Sequence, residues 1–405
     1  MASSIEAVRG TKDVLPQDSY KWRFVERTAQ SVAARFGFRE VRFPTFEKTE
    51  LFVRGVGDTT DVVQKEMYTF VTKGEDSITL RPEGTASVAR LCLQNGLFAG
   101  LMPLKLYYII SCFRYEKPQA GRYREFHQFG VELYGTQSPS SDAEVIALAD
   151  TLIKSLGIKG VRLKINSIGC PECRKNYHAA LKAYFENARD SLCDPCRDRL
   201  ERNPMRILDC KDPDCAKIAK GAPRVTDFLC EECSDHFGKL QETLGSFGIG
   251  YEIDTSIVRG LDYYTKTVFE FVDSETGLTV LGGGRYDGLV TDLDPSKQVC
   301  GLGFATGLER LILVMEKQGC DFGKEDPCRV YIANIGENGA KKAAALVYAL
   351  RSAGISAESD ISSRSLKAQM KYADKLGVSL GSLKQWEQNR KQIFKSTWEK
   401  YFKQT

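Results

Sequence analysis

Between Leu104 and Gly135 apolar and polar positions alternate with a period of two, break off in a polar stretch, and resume. That period predicts two antiparallel strands joined as a long hairpin. Tyr108, Ile110, Cys112, Arg114 and Glu116 share one face of the first arm; Arg124, Phe126, Gln128, Gly130, Glu132 and Tyr134 share one face of the return arm. Charge appears where the face leaves the apolar run, and Gly130, set between Gln128 and Glu132, is expected to leave room for a ligand. The connection from Lys117 to Arg124 carries Pro118, Gly121 and three cations, which suits a mobile loop that meets phosphate.

Elsewhere the period is helical. Val25, Ala29, Val32 and Phe36 recur at three- and four-residue spacing and stop at Gly37, before a strand from Phe38 to Phe43 that ends at Pro44. Ile78 to Arg81 reads as a strand feeding a helix with Thr85 as N-cap, and Glu83 places a carboxylate just ahead of its N-terminus. Thr255 to Val272 is β-branched and aromatic and reads strand, turn, strand. Val299 to Leu313 reads as a strand with Gly301 and Gly303 on one face, where a flat base can approach the backbone, and then a helix. Thr306 and Glu309 are expected to form its capping box, with Arg310 in the first turn. Cys328 to Gly377 reads strand, helix, strand, helix. In the tail Leu383, Trp386, Ile393, Phe394, Trp398, Tyr401 and Phe402 recur at near-helical spacing between cations.

With 405 residues there is room for two or three domains, and 42% hydrophobic content belongs to soluble globular chains. A net charge of +4 permits an RNA partner without arguing for one, and DNA is not expected. The N-terminus lacks the apolar segment of a signal peptide and no run is long enough to span a bilayer, so the expectation is a cytoplasmic enzyme without a membrane partner. In that compartment the thirteen cysteines read as thiols or metal ligands before disulfides. Eight of them fall as Cys170/Cys173, Cys193/Cys196, Cys210/Cys215 and Cys230/Cys233. Two such pairs close a four-thiolate site, so the eight hold one or two zinc ions or remain reduced, partly buried thiols. His236 is either a substitute ligand or a lone surface histidine.

Phe113-Arg114-Tyr115-Glu116, a basic loop, and Phe126-His127-Gln128-Phe129-Gly130-Val131-Glu132 together resemble motif 2 of the class II aminoacyl-tRNA synthetases, in the form carried by the histidyl-tRNA synthetase family. The first helix, strand and Pro44 resemble motif 1, which in the family builds a homodimer interface. Thr79 to Thr85 matches the family's TLRPEGT segment. Arg259-Gly260-Leu261-Asp262-Tyr263-Tyr264 and Gly282-Gly283-Gly284-Arg285-Tyr286-Asp287 resemble its two histidine-specific signatures, and 299–313 resembles motif 3. Cys328 to Gly377, with Lys371-Tyr372-Ala373-Asp374-Lys375, resembles the opening half of an anticodon-binding domain, and the resemblance stops after Val378. The implied fold class is α+β: an antiparallel sheet flanked by helices, a Cys-rich insert and a partial α/β C-terminal domain. The implied division is a catalytic domain over 1–165 and 241–325, an insert over 166–240, a partial anticodon-binding domain over 326–378, and a tail over 379–405.

The resemblance implies a histidine–tRNA ligase that activates L-histidine with ATP and passes it to tRNA(His). It puts Arg114 and Arg259 on the α-phosphate and the substrate carboxylate as the catalytic pair, and Arg310 on the γ-phosphate. Mg2+ bridges the phosphates with Glu116 as a partner. Glu83, Thr85 and Gln128 take the α-ammonium, Glu132 and Tyr264 take the imidazole with Tyr263 beside them, and Gln119, Arg122 and Arg124 meet the tRNA acceptor end. A site that hydrogen-bonds both ring nitrogens rejects other side chains without editing. The rival reading is the histidyl-synthetase-like regulatory subunit of ATP phosphoribosyltransferase. The incomplete C-terminal domain favours it; the intact set Glu83, Arg114, Gln128, Glu132, Arg259 and Tyr264, with the cysteine insert, opposes it. From the resemblance, anticodon reading is expected to be weakened, and removal of zinc is expected to loosen 166–240 before it touches adenylate formation.

Overall fold

The computed structural model describes residues 5–378 except 59, 211, 324–327 and 329; the helix expected in the tail lies outside the described residues. The chain divides into two compact units, Met1–Gly323 and Lys324–Thr405.

The first unit opens with α1 (Pro16–Arg35), β1 (Arg39–Glu40), β2 (Phe46–Lys48), α2 (Thr49–Val56), β3 (Tyr68–Val71), β4 (Ser77–Leu80) and α3 (Thr85–Gln94). The long hairpin follows as β5 (Leu104–Phe113) and β6 (Glu125–Tyr134), then α4 (Pro139–Ser155) and β7 (Val161–Ser167). The cysteine-rich stretch folds as α5 (Pro171–Glu186), α6 (Asp194–Arg202), α7 (Pro213–Ala219) and α8 (Glu231–Ser246). The unit closes with β8 (Glu252–Ile253), β9 (Thr265–Asp273), β10 (Thr279–Arg285), α9 (Leu289–Leu293), β11 (Gly301–Gly307) and α10 (Leu308–Gln318).

Eight strands make one sheet in the order β1-β5-β6-β11-β10-β9-β7-β8, antiparallel except for the two edge pairs. The hairpin is antiparallel as expected, and its register sets Tyr108 opposite Gly130, Ile110 opposite Gln128 and Leu106 opposite Glu132. Period-two alternation sends Tyr107, Phe129, Val131 and Leu133 into a core shared with α1, α4, α8 and α10. The opposite face, with Leu106, Tyr108, Ile110 and Cys112, packs on α3 and on the insert.

Four local expectations change. The strand after α1 keeps only Arg39–Glu40, because it pairs with β5 at an edge alone. Thr255 to Tyr264 forms turns instead of a strand: both edges of β9 are taken, by β7 and β10, so the preceding residues have no ladder to join. At α3 the N-cap position is Gly84 rather than Thr85, and Glu83 satisfies the helix end by accepting from the N–H groups of Thr85 (2.7 Å) and Ala86 (2.9 Å). The Thr306–Glu309 capping box does not form. Thr306 still lies in β11 and donates to the Val280 carbonyl (2.8 Å), while Glu309 accepts from the His127 N–H (2.8 Å). Arg310 nevertheless stands in the first turn of α10.

Arg285, fully buried, locks the sheet to its helices. It pairs with Asp142 of α4 and, at 3.1 Å, with Asp287; Asp142 also accepts from Thr267 (2.6 Å) and meets His236 of α8 at 2.7 Å. His236 is therefore a buried partner of a carboxylate, neither a surface residue nor a metal ligand. Burial alone would raise the Asp142 carboxyl, but Arg285 and His236 outweigh it and hold the carboxyl below its ordinary range. A depressed carboxylate contributes stability above its unfolded pKa, and that contribution disappears as pH falls through the folded value. Asp142→Ala is expected to cost about 3–5 kcal/mol, because it removes the closer carboxylate from a buried guanidinium, leaving Asp287 alone to balance it among the described residues, and takes the partner from His236 as well. A urea midpoint within error of the parent's, at unchanged slope, would refute this.

The second unit contains β12 (Val330–Ile332), α11 (Gly336–Ser352), β13 (Ala357–Ser359) and α12 (Leu366–Lys375). β12 and β13 pair in parallel, Val330 beside Ala357, with α11 as the crossover. This is the strand, helix, strand, helix order read from the chain.

Candidate active site

A cavity of about 630 Å³ opens beside β6, β10 and β11. Of the residues expected in the site, Glu83, Thr85, Arg114, Glu116, Gln119, Arg122, Gln128, Arg259, Tyr263, Tyr264 and Arg310 all line it. Glu132 and Arg124 do not.

The upper part is cationic. Arg114 donates from Nε to the Pro82 carbonyl (2.8 Å), with its guanidinium 5.5 Å from the centre of the Phe126 ring. Arg310 is lowered first by burial and then by positive neighbours, Arg122, Arg259 and Arg114, against the opposing pull of Glu116. Four guanidinium groups crowded around one cavity favour a polyanionic occupant. Arg259 sits over Gly282, where a Cβ would come within 2.6–2.8 Å of its guanidinium atoms, so this glycine is needed for close approach. It forms an ion pair with Glu270, the residue opposite Gly282 in β9, and its buried Nε has no partner among the described residues. Glu270 escaped the sequence reading, since only the β9–β10 register places it opposite Gly282.

The lower part is aromatic and closed. Glu132 is buried and accepts from the Thr85 hydroxyl (2.8 Å), the Tyr108 hydroxyl (3.1 Å) and the Tyr286 hydroxyl. Burial pushes its carboxyl up to about 8 in spite of those donors. The rings of Tyr263 and Tyr264 lie 4.6 Å apart, and Tyr286 lies 5.4 Å from Tyr263. The Gln128 amide oxygen accepts from the Cys112 thiol at 3.7 Å.

Three glycines do something other than expected. A Cβ at Gly130 would overlap the Tyr108 ring, so the space beside Gln128 and Glu132 holds a tyrosine and not a ligand. Cβ atoms at Gly301 and Gly303 would meet Tyr286 and Glu132, so these glycines seat Tyr286 against Glu132 instead of baring the backbone to a base. Tyr108 and Tyr286 were thus missed as members of the site. Tyr108 is placed opposite Gly130 only by the strand register, which the faces read from the chain leave open.

In the connecting loop Gln119 and Arg122 close a turn through paired backbone bonds of 3.2 and 2.9 Å, and Arg122 reaches Glu116 at 3.1 Å. Arg124 is engaged elsewhere. Its N–H donates to the Gly10 carbonyl (2.7 Å) and its guanidinium stacks 3.8 Å from the centre of the Tyr115 ring.

The insert gathers its thiols into two groups, Cys170, Cys173, Cys230 and Cys233 in one, Cys193, Cys196, Cys210 and Cys215 in the other. His236 belongs to neither. No helix among the described residues is long and apolar enough to cross a membrane.

Comparison with known proteins bears on the same regions. A family model described as histidyl-tRNA synthetase matches residues 10–173 and 214–311, and one described as an anticodon-binding domain matches 329–381. The histidine–tRNA ligase of Clostridium perfringens is 53% identical over 376 residues, covering 93% of this chain and 90% of the relative. A crystal structure of apo histidyl-tRNA synthetase from S. aureus superposes with a TM-score of 0.78 at 40% identity, over 93% of this chain and 90% of that one. An ATP phosphoribosyltransferase regulatory subunit/histidyl-tRNA synthetase from Bacillus halodurans shares the fold at a TM-score of 0.67, with 22% identity over 92% of this chain and 97% of its own.

Proposed function

The chain belongs to the histidyl-tRNA synthetase family, and on that premise we propose that the cavity is where histidine is joined to ATP. The activity is that of a histidine–tRNA ligase, favoured over the regulatory-subunit reading by 53% identity to a ligase along nearly the whole chain. A carboxylate oxygen of histidine attacks the α-phosphorus of ATP and pyrophosphate leaves. The tRNA(His) terminal hydroxyl then attacks the carbonyl carbon and AMP leaves. Neither step creates a need for a strong base, so positioning and charge neutralisation carry the rate.

The observation that carries this assignment is Arg259: a half-buried guanidinium laid over Gly282, its buried Nε without a partner among the described residues, inside a ring of arginines. Arg114 and Arg259 are assigned to the α-phosphate and substrate carboxylate and Arg310 to the γ-phosphate. Glu83, Thr85 and Gln128 are assigned to the α-ammonium, with Glu132 and Tyr264 taking the imidazole and Tyr263 packing beside them. The family uses ATP with Mg2+, which supplies charge neutralisation on the phosphates when bound; Glu116, which lines the cavity beside Arg114 and Arg122, is the carboxylate assigned to help hold it. We assign zinc to the insert cysteines, the cytoplasm as the compartment, and a homodimer as the assembly. Phe46 and Phe70, exposed on one face of the small β2-β4-β3 sheet, suit the dimer contact.

Attachment of labelled histidine to tRNA(His) by the purified protein, dependent on ATP, tests the overall activity; no attachment under conditions where the S. aureus relative charges would oppose it. Within that reaction Gln119→Ala is expected to slow transfer to tRNA by about tenfold, the size of one charge-assisted contact, and to spare adenylate formation. Equal damage to both steps would move Gln119 into the adenylate site. Arg122 is the second candidate for the acceptor end. Arg124, stacked on Tyr115, is retained as a weaker third.

A further inference from the structure

We infer that the eight insert cysteines form two separate zinc sites of different role, one closing the neck of the insert and the other holding the histidine-recognition loop through Arg206. This rests on the assignment of zinc to the insert and extends it to number, pairing and consequence. The spacing of the pairs along the chain leaves their partnership open; the fold decides it. Cys170 and Cys173 meet Cys230 and Cys233, while Cys193 and Cys196 meet Cys210 and Cys215, so the second site is nested inside the first.

Within each group all four sulfur atoms lie within 4.8 Å of one another. Cys170 and Cys173 are 3.5 Å apart, and Cys193 and Cys210 are 3.8 Å apart. A tetrahedral zinc with bonds of about 2.3 Å sets its sulfurs about 3.8 Å apart, whereas a disulfide needs about 2 Å. The sulfurs therefore stand at metal spacing. Backbone N–H groups already point at them across the pairs, from Cys230 to the Cys173 sulfur at 3.0 Å and from Cys193 to the Cys215 sulfur at 3.2 Å. Such donors stabilise thiolate charge, as outer partners of a metal site do. Four thiolates leave no coordination position for a substrate, so both sites are structural.

The neck site ties the end of β7 to the start of α8 and closes 174–229 into one loop. Beside it the Gly169 carbonyl accepts from the Lys266 N–H (2.9 Å) and Arg174 donates to the Tyr264 carbonyl (3.1 Å). The inner site fixes α6 and the turn after it, where Leu200, Met205 and Ile207 are buried. That turn carries Arg206, which donates to the Gly260 carbonyl (2.8 Å) and pairs with Asp262 at 3.0 Å. Gly260 and Asp262 lie between Arg259 and Tyr264. The insert thus supports the backbone of the loop assigned to histidine, which revises the expectation that metal loss loosens 166–240 before it touches adenylate formation.

Elemental analysis of protein purified without chelators is expected to give two zinc ions per chain. Cys193→Ser with Cys196→Ser is expected to leave one zinc and to raise the KM for histidine by about three- to tenfold, the effect of one or two lost hydrogen bonds. Arg206→Ala is expected to reproduce the KM shift with both zinc ions retained. Cys170→Ser with Cys173→Ser also retains one zinc and lowers Tm. If a serine pair prevents folding, titration of the metal-stripped parent with cobalt(II) serves instead, with two equivalents of thiolate-bound ion expected. Below about 0.3 zinc per chain, with all eight thiols free to react, the zinc assignment itself fails. One ion per chain, or loss of both ions in either variant, overturns the two-site inference while leaving zinc in place. An unchanged KM in Arg206→Ala overturns the role given to the inner site.

Discussion

Arg259→Ala is expected to leave the protein folded and to slow histidine-dependent ATP–pyrophosphate exchange by at least about a hundredfold, the usual cost of removing one donor aimed at transition-state charge. The side chain contributes little to packing that the fold depends on: it lies against a cavity, over Gly282, with Glu270 as its only ionic partner among the described residues. Glu270 keeps a donor in the Thr279 hydroxyl at 2.8 Å when the arginine is gone. Gly282→Ala provides an independent check, since its Cβ displaces the guanidinium, the far end of a flexible side chain, without touching the substrate groups otherwise assigned. A loss of less than about tenfold in Arg259→Ala would be too small for a transition-state contact and would remove Arg259 from the mechanism.

Glu132→Gln is expected to raise the KM for histidine by about tenfold to a hundredfold, the worth of a charge-assisted hydrogen bond in a buried site. It is also expected to change the pH dependence. Burial holds the carboxyl up to about 8, so in the empty site at pH 7 it is mostly protonated. An imidazole that donates its N–H to this group while accepting from Tyr264 needs the ionised form, and binding therefore expels a proton. Affinity must then rise with pH through that value, by about fivefold between pH 7 and 8. The glutamine variant has no proton to lose and should be flat over the same interval. Isothermal titration in two buffers of different ionisation enthalpy reads the proton directly. A parent protein whose affinity is flat from pH 7 to 8, or a variant with unchanged KM, contradicts the assignment.

What the chain discloses before folding follows from which features are local. The antiparallel hairpin, the common face of Gln128 and Glu132 on its return arm, and the place of Arg310 in the first turn of α10 are legible from period and spacing, and the structure agrees; the register that sets Tyr108 opposite Gly130 is not. What was illegible depends on which atoms fill a space between elements. Gly130 reads as an opening until Tyr108 is known to occupy it, and Gly301 and Gly303 read as bare backbone until Tyr286 is placed. Capping failed as a sequence signal at Thr85 and at Thr306 for one reason: in each case a buried acceptor, Glu132 or the Val280 carbonyl, claims the hydroxyl. His236 likewise looked like a surface or zinc residue because nothing local announces Asp142, ninety-four positions away.

On the proposed function, this cavity forms histidyl-adenylate by itself. The most direct test is exchange of labelled pyrophosphate into ATP by the purified protein with histidine present and tRNA absent. Exchange is expected to saturate with histidine, to require Mg2+ and not to be supported by phenylalanine, whose ring has no nitrogen to exchange hydrogen bonds with the groups assigned to the imidazole. A folded protein that binds ATP and histidine yet shows no exchange would contradict the proposed function and return the chain to the regulatory reading.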